Sequence, residues 1–483
     1  MRILIASAEA IPYIKTGGLA DVAGALLKEL RALKEKASLV LPLYRRISDK
    51  FRLHLAGKSF SVPMGTADIK GRVWVSDETD VPGAYFIECE ELFGRKEIYG
   101  TSKGDYRDNA LRFAFFSRAV IETCLAMDIR PDVIHCNDWQ TAMIPLYLRD
   151  FYADRAGIGK TATLYTIHNL GYQGLFPRAD ISYTGLGDDY FTPERLEFYG
   201  RLNFMKAGLL YADLLSTVSK SYAAEVLDPE YGFGLEGVLR MRRHDLYGVL
   251  NGLDYEEWDP ASDRFLPDRY DKGDLSGKRL CRQMLLKETG VRDEGRPLFG
   301  VVTRFSSQKG LDIIVEAADR MVRLGVNMVI LGKGDEYYQE LLASIAGRHP
   351  GRVFVKIGFR ESLAHMIYAG CDFFLMPSRY EPCGLGQMIA LRYGTVPVAR
   401  QTGGLADTIE DYDHLRARGN GFLFSDYGPS SLLDAVKRAL CVYGDGEKMG
   451  KLVTSAMKAD FSWKKSAGKY LELYGKAARR VAG

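Results

Sequence analysis

Two sets of residues in this chain have the types and spacing to handle a phosphorylated ligand. The hexapeptide Thr-Gly-Gly-Leu-Ala-Asp occurs at Thr16 to Asp21 and again at Thr402 to Asp407, each time between an apolar strand-like run and a helix-like run. A glycine pair lets the backbone approach a ligand and adopt positive φ, and the free amides of a first helical turn attract phosphate. Either copy alone reads more readily as a tight strand-to-helix turn than as a ligand loop. Identical copies in matching contexts favour anion cradles built from Gly17, Gly18, Thr402 and Gly403. Lys15 adds a point charge beside the first, and Asp21 is expected to bond within that loop.

The elements that position these residues repeat as strand, loop, helix. Arg2 to Ala8, Ala37 to Leu41, Asp132 to Cys136, Thr163 to Ile167 and Leu214 to Val218 are short apolar runs, as in parallel strands buried on both faces. Gly18 to Leu33 carries apolar residues at helical spacing. After Val249-Leu250-Asn251-Gly252 the pattern restarts, with strand-like runs at Leu298 to Thr303, Asn327 to Leu331, Val353 to Ile357, Phe373 to Met376 and Val396 to Ala399. Such alternation predicts α/β architecture with a doubly wound parallel sheet in each half, and ligands at the carboxyl ends of the strands.

Those ends carry Glu9, Asp138 and His168 in the first half, and Arg304, Lys309, Glu381 and Gly384 in the second. A carboxylate, an imidazole and polar groups on one side, with cations and glycine loops on the other, suit a donor bearing a sugar and a diphosphate. As such a donor is cleaved, Arg304 and Lys309 would take up the negative charge growing on the phosphate. Asp138 beside Trp139 reads equally as a helix N-cap, and Glu381 as an acid favouring a helix dipole.

Composition excludes other classes. The 483 residues exceed one usual core, and 65 Lys and Arg against 62 Asp and Glu leave a formal net charge of +3, with no global field for nucleic acid or a membrane surface. Seven scattered cysteines without a Cys-x-x-Cys fit reduced thiols. No secretory or membrane segment is recognised, so a cytoplasmic protein is expected. No Gly-x-Gly-x-x-Gly follows the first strand, which argues against a dinucleotide dehydrogenase.

Lys15 to Val22, Asn137-Asp-Trp139, His168 to Gly174, Asn251-Gly-Leu-Asp254, Arg304 with Gln308-Lys309-Gly310, Glu381-Pro-Cys-Gly-Leu385 and Thr402 to Asp407 resemble, in order, the motifs of bacterial glycogen synthases and plant starch synthases. The resemblance implies GT-B architecture, two Rossmann-like domains facing a deep cleft, and retaining transfer of glucose from ADP-glucose to the non-reducing 4-hydroxyl of an α-1,4-glucan such as glycogen or maltodextrin. It implies domains at 1–248 and 249–460, with 461–483 returning as a helix to the first. It places Glu381, His168 and Asp138 at the donor sugar, adds Asn251, Gly384 and Leu385 to the donor contacts, and leaves Glu9 on the acceptor side. The bacterial branch fits better, because no Ser- and Arg-rich transit segment precedes the first strand.

Two departures touch acceptor-side detail only: Asn137 and Gln140 stand where bacterial members commonly have histidines, and the family's Arg-Leu-x-x-Gln-Lys-Gly element appears as Arg304-Phe-Ser-Ser-Gln-Lys-Gly310, with Asp138, Arg304 and Lys309 all kept. No second acid is evident for a covalent intermediate, so front-face displacement is expected. Asp411-Tyr412-Asp413 has the spacing of a metal-holding pair but lies in a polar stretch away from any strand end, so no metal and no cofactor is expected. Cys383 is expected to line the donor loop.

Overall fold

A computed structural model describes residues 1–65, 67–76, 83–101 and 103–482, except for the side chain of Lys58. The chain forms two compact units, one from Met1–Val218, Ala223–Gly252 and Trp463–Gly483, the other from Ser219–Tyr222 and Leu253–Ser462. The first unit therefore extends past residue 248. Val249 still bonds to the first sheet through Thr217 O at 2.8 Å, and a Cβ on Gly252 would lie 2.5 Å from Trp463 Cα.

The first unit is built on β1 (Arg2–Ala6), β2 (Lys36–Pro42), β3 (Leu53–Met64), β4 (Ala67–Ser76), β5 (Ala84–Glu88), β6 (Val133–Asn137), β7 (Ala162–Ile167), β8 (Leu214–Thr217) and β9 (Leu246–Gly248). Their order in the sheet is β9-β8-β7-β6-β1-β2-β5-β4-β3. Strands β9 through β5 are parallel, whereas β4 and β3 are antiparallel additions at the edge. The sequence reading missed this hairpin. Its strands are covered on one face only, so they alternate in polarity instead of showing the uninterrupted apolar runs of β1 or β7.

The second unit is built on β10 (Leu298–Phe305), β11 (Asn327–Gly334), β12 (Val353–Ile357), β13 (Phe373–Met376), β14 (Val396–Arg400) and β15 (Phe422–Phe424), all parallel in the order β12-β11-β10-β13-β14-β15. Strand order reverses between β6 and β1 in the first sheet and between β10 and β13 in the second. At these switch points the loops beyond the carboxyl ends diverge and leave a crevice.

The two hexapeptides do not occupy equivalent places. The first follows β1, at its switch point, and opens the 15-residue helix Gly18–Ala32. The second follows β14, one strand off its switch point, and opens a 6-residue helix, Gly403–Thr408. The units are alike in their sheets, and the repeated peptide is not the mark of that likeness.

The C-terminal helix Trp463–Ala482 packs on the first unit. Tyr470 and Tyr474 are fully buried there, and Tyr474 Oη shares a 2.8 Å hydrogen bond with His135 Nδ1. His135 Nε2 continues to Thr166 Oγ1 at 2.6 Å, and Thr166 to Ser216 Oγ at 2.6 Å. This buried relay fastens the helix across β6, β7 and β8. Among the described residues no helix is long and apolar enough to cross a membrane.

Candidate active site

At the switch point of the first sheet the loop after β1 is held from within by Glu9. This side chain, expected to reach an acceptor, is 3% exposed. Its carboxylate accepts from Thr16 N, from Thr16 Oγ1 at 2.9 Å, from Gly17 N at 3.0 Å and from Tyr99 Oη at 3.1 Å. A carboxylate this engaged positions the loop and has little capacity left for a sugar hydroxyl. The loop also lies close on its helix, since a Cβ on Gly24 would come within 2.4 Å of Ile11 O.

Gly17 caps the helix in extended conformation, with φ −147°, and a Cβ on Gly18 would meet nothing within 4 Å. In this copy the glycines are required neither by backbone strain nor by packing; they leave open space in front of the helix. Lys15 Nζ donates to Asp21 Oδ1 at 2.6 Å, so Asp21 bonds within the loop as expected, and Lys15 keeps about half its side chain in solvent.

Across the switch point, Asp138 has φ of 56°, a strained value for a residue with a side chain. It stands at the N-cap of the 3₁₀ turn Trp139–Thr141 without capping it. Its Oδ1 instead accepts from His168 N at 2.7 Å. Burial pushes its carboxyl up to about 7, with a smaller contribution from the negative charge of Glu9. His168 Nε2 lies 2.9 Å from Asn137 Oδ1, while Asn137 Nδ2 donates to Ala6 O and His135 O. Asn137 Oδ1 is thus the acceptor, His168 carries its proton on Nε2, and Nδ1 keeps its lone pair. Burial holds the ring neutral, with its pKa down at about 3.

In the second unit Lys309 follows β10 and Glu381 follows β13, the two strands that flank the switch. Lys309 Nζ donates to both Glu381 oxygens, at 2.9 and 2.7 Å, and Ser378 Oγ donates to Oε2 at 2.9 Å. The side chains of Lys309 and Glu381 are 15% and 7% exposed. Arg304, near the end of β10, is exposed and engages no hydrogen-bond or ion-pair partner among the described residues. In register beside it on β11 is Lys333, also exposed and unpaired among those residues. Like charges opposed on neighbouring strands repel; an anion between them would relieve that cost. Lys333 lies in a Gly-Lys-Gly at the end of β11, and the register sets it beside Arg304.

The glycines here have steric reasons. Gly384 has φ of 72° and Gly403 of 44°. A Cβ on Gly404 would lie 1.9 Å from Cys383 O, so the Thr402 loop packs directly on the Glu381 loop, and Gly404 N donates to Glu381 O at 2.9 Å. Gln387 Nε2 donates to Cys383 O and Gly384 O at 2.9 Å each, while Gln387 Oε1 is buried without a partner among the described residues. Ser378 and Gln387, which fix Glu381 and its loop, gave no signal in the sequence. Cys383 is buried in this loop, Leu385 caps the following helix, and Thr402 is 2% exposed.

Asn251 is 6% exposed and follows the edge strand β9, with its Oδ1 buried and without a hydrogen-bond partner among the described residues. Asp407 accepts from Ser221 N at 3.1 Å and Ser221 Oγ at 2.6 Å, unlike Asp21 in the first copy. Asp411 takes Leu423 N and Arg438, and Asp413 takes Leu415 N and Arg416. Both carboxylates of the Asp-x-Asp pair thus serve turns and ion pairs.

Two Rossmann-like units with cation-bearing and glycine-rich loops at their switch points define a GT-B glycosyltransferase. The starch synthase catalytic domain family matches residues 2–241, and the group 1 glycosyl transferases match residues 285–453. Glycogen synthase of Syntrophotalea carbinolica is 46% identical over 479 residues, 99% of each chain. Glycogen synthase of Geotalea daltonii is 47% identical over 476 residues, 98% of each. The catalytic domain of starch synthase IV from Arabidopsis thaliana, solved with ADP and acarbose, superposes with a TM-score of 0.90 at 35% identity, covering 99% of each chain. The chain belongs to the glycogen and starch synthase family.

Proposed function

We propose that this chain transfers glucose, with retention, from ADP-glucose to the non-reducing 4-hydroxyl of an α-1,4-glucan, releasing ADP. The observation that carries the reading is the Lys309–Glu381–Ser378 cluster beside exposed Arg304 at the switch point of the second sheet, within a chain whose relatives are named glycogen synthase. Arg304 and Lys309 stabilise the charge that grows on the departing diphosphate. Amides and open space at Gly18, and the Gly384–Leu385 and Thr402–Gly403 loops, complete the donor contacts. Glu381 balances Lys309 and faces the cationic sugar as the glycosidic bond breaks.

Neutral His168 accepts a hydrogen bond from a donor-sugar hydroxyl at Nδ1, and Asp138 holds His168 and its loop at that sugar. The leaving phosphate takes the acceptor's proton in a front-face displacement. The cations supply the positive charge the diphosphate needs, so the reaction proceeds without metal or cofactor, in the cytoplasm. The test offers ADP-glucose and UDP-glucose separately with glycogen, in excess chelator, and identifies the nucleotide released. ADP release in chelator supports the reading; no release of either nucleotide overturns it, and loss of activity in chelator overturns its metal-free part.

A further inference from the structure

The peptide Gly332-Lys333-Gly334 ends β11, and nothing assigned to transfer uses it. Its two glycines have a steric reason. A Cβ on Gly332 would lie 2.0 Å from Thr303 O, and one on Gly334 would lie 2.2 Å from Phe305 O. Glycine at both places thus lets β11 lie close against β10 on either side of Arg304. Lys333, between them, is held in register with Arg304. Paired residues of neighbouring strands point to one face, about 4.8 Å apart, so the two cations stand side by side at the carboxyl edge of the second sheet.

The acid next in sequence is spent elsewhere. Asp335 Oδ1 accepts from Tyr337 N at 3.0 Å and caps the helix Glu336–Arg348. Neither Arg304 nor Lys333 has an ion-pair or hydrogen-bond partner among the described residues. Two adjacent cations with no acid between them suit a ligand with charge on two adjacent groups, as in a nucleoside diphosphate. Strand order says which group each cation meets. Glu381 follows β13, Arg304 and Lys309 belong to β10 and the turn after it, and Lys333 ends β11, one strand further from the switch point. A donor laid across these ends with its sugar at Glu381 and its breaking bond at Lys309 brings its nucleoside side to β11.

We propose that Lys333 binds the nucleoside-linked phosphate of the donor, next to Arg304 on the sugar-linked one, a proposal that rests on the function proposed above. The sugar-linked phosphate gains charge as the glycosidic bond breaks, whereas the nucleoside-linked phosphate carries the same charge before and after. Lys333 therefore holds ground state and transition state alike, and acts on affinity instead of on the chemical step.

The experiment titrates wild type, K333A, K333Q and K333R with ADP and with UDP by calorimetry, beside steady-state kinetics with ADP-glucose and glycogen. K333A and K333Q weaken whichever nucleotide wild type binds by about tenfold and raise the KM for ADP-glucose by the same factor, with the loss confined to KM; K333R, which keeps the charge, restores most of the affinity. Unchanged nucleotide affinity in K333A overturns the proposal. A fall in kcat at constant KM overturns it too, because it would put Lys333 at the breaking bond. The titrations separate the proposal from the function on which it rests: wild type that binds ADP yet transfers no glucose defeats the function, and the K333A titration still decides the role of Lys333. Wild type that binds neither nucleotide overturns both.

Discussion

At the residue scale, the ion pair between Lys309 and Glu381 means that the two cations of the donor site respond differently to removal. K309A strands a buried carboxylate and E381Q strands a buried ammonium, and breaking such a pair costs about 3–5 kcal/mol. Each variant is therefore expected to lose stability as well as turnover, with a melting temperature lower by roughly 5 °C or more. Because both act on one interaction, K309A/E381A loses less than the sum of the single variants. Calorimetry checks both points, and melting temperatures equal to wild type would show the pair to be energetically idle.

Asp138 and His168 make opposite contributions with pH. The Asp138 pKa is raised to about 7, so between roughly pH 4, its unfolded value, and pH 7 the folded state holds the extra proton and stability falls as pH rises. D138N removes that slope and gains on wild type toward pH 7. His168 and His135 are both lowered to about 3 by burial. In the unfolded chain they protonate near 6.5, so their contribution is full above that pH and is lost as pH falls toward 3. Unfolding curves of wild type and D138N across this range test the assignment; identical pH slopes would contradict it.

At the scale of elements, the C-terminal helix is held by chemistry that its own sequence does not announce. Y474F leaves His135 Nδ1 buried without its partner, at a cost of about 1–3 kcal/mol, which a lowered melting temperature reports. Much of the parallel core was legible, because strands such as Arg2–Ala6 and Asn327–Gly334 carry unbroken buried apolar runs, Ile3 to Ala6 and Met328 to Leu331. The antiparallel hairpin of β3 and β4 was not, since its alternation resembles surface loop. The repeated hexapeptide pointed to two similar halves for a reason the sheets do not share. Only the fold shows that His135 anchors a helix more than three hundred residues away. Glu9 read as an acceptor contact because sequence position does not reveal which way a carboxylate turns.

At the scale of the whole molecule, each unit gathers its candidate residues around its own switch point: neutral His168 and Asp138 with the Lys15 loop in the first, Arg304 and Lys309 with Glu381 in the second. The motifs made these residues legible, but the pairing of Lys309 with Glu381 and the register of Arg304 with Lys333 depend on strand order. The central claim is that fixed cations in the second unit stabilise a departing diphosphate. The steady-state rate of ADP release from ADP-glucose in the presence of glycogen, for wild type and R304A, tests it most directly. Arg304 has no partner to strand, so R304A is expected to melt as wild type does while its turnover falls by about 10²–10³-fold. An R304A protein that folds normally and turns over near the wild-type rate would contradict the account.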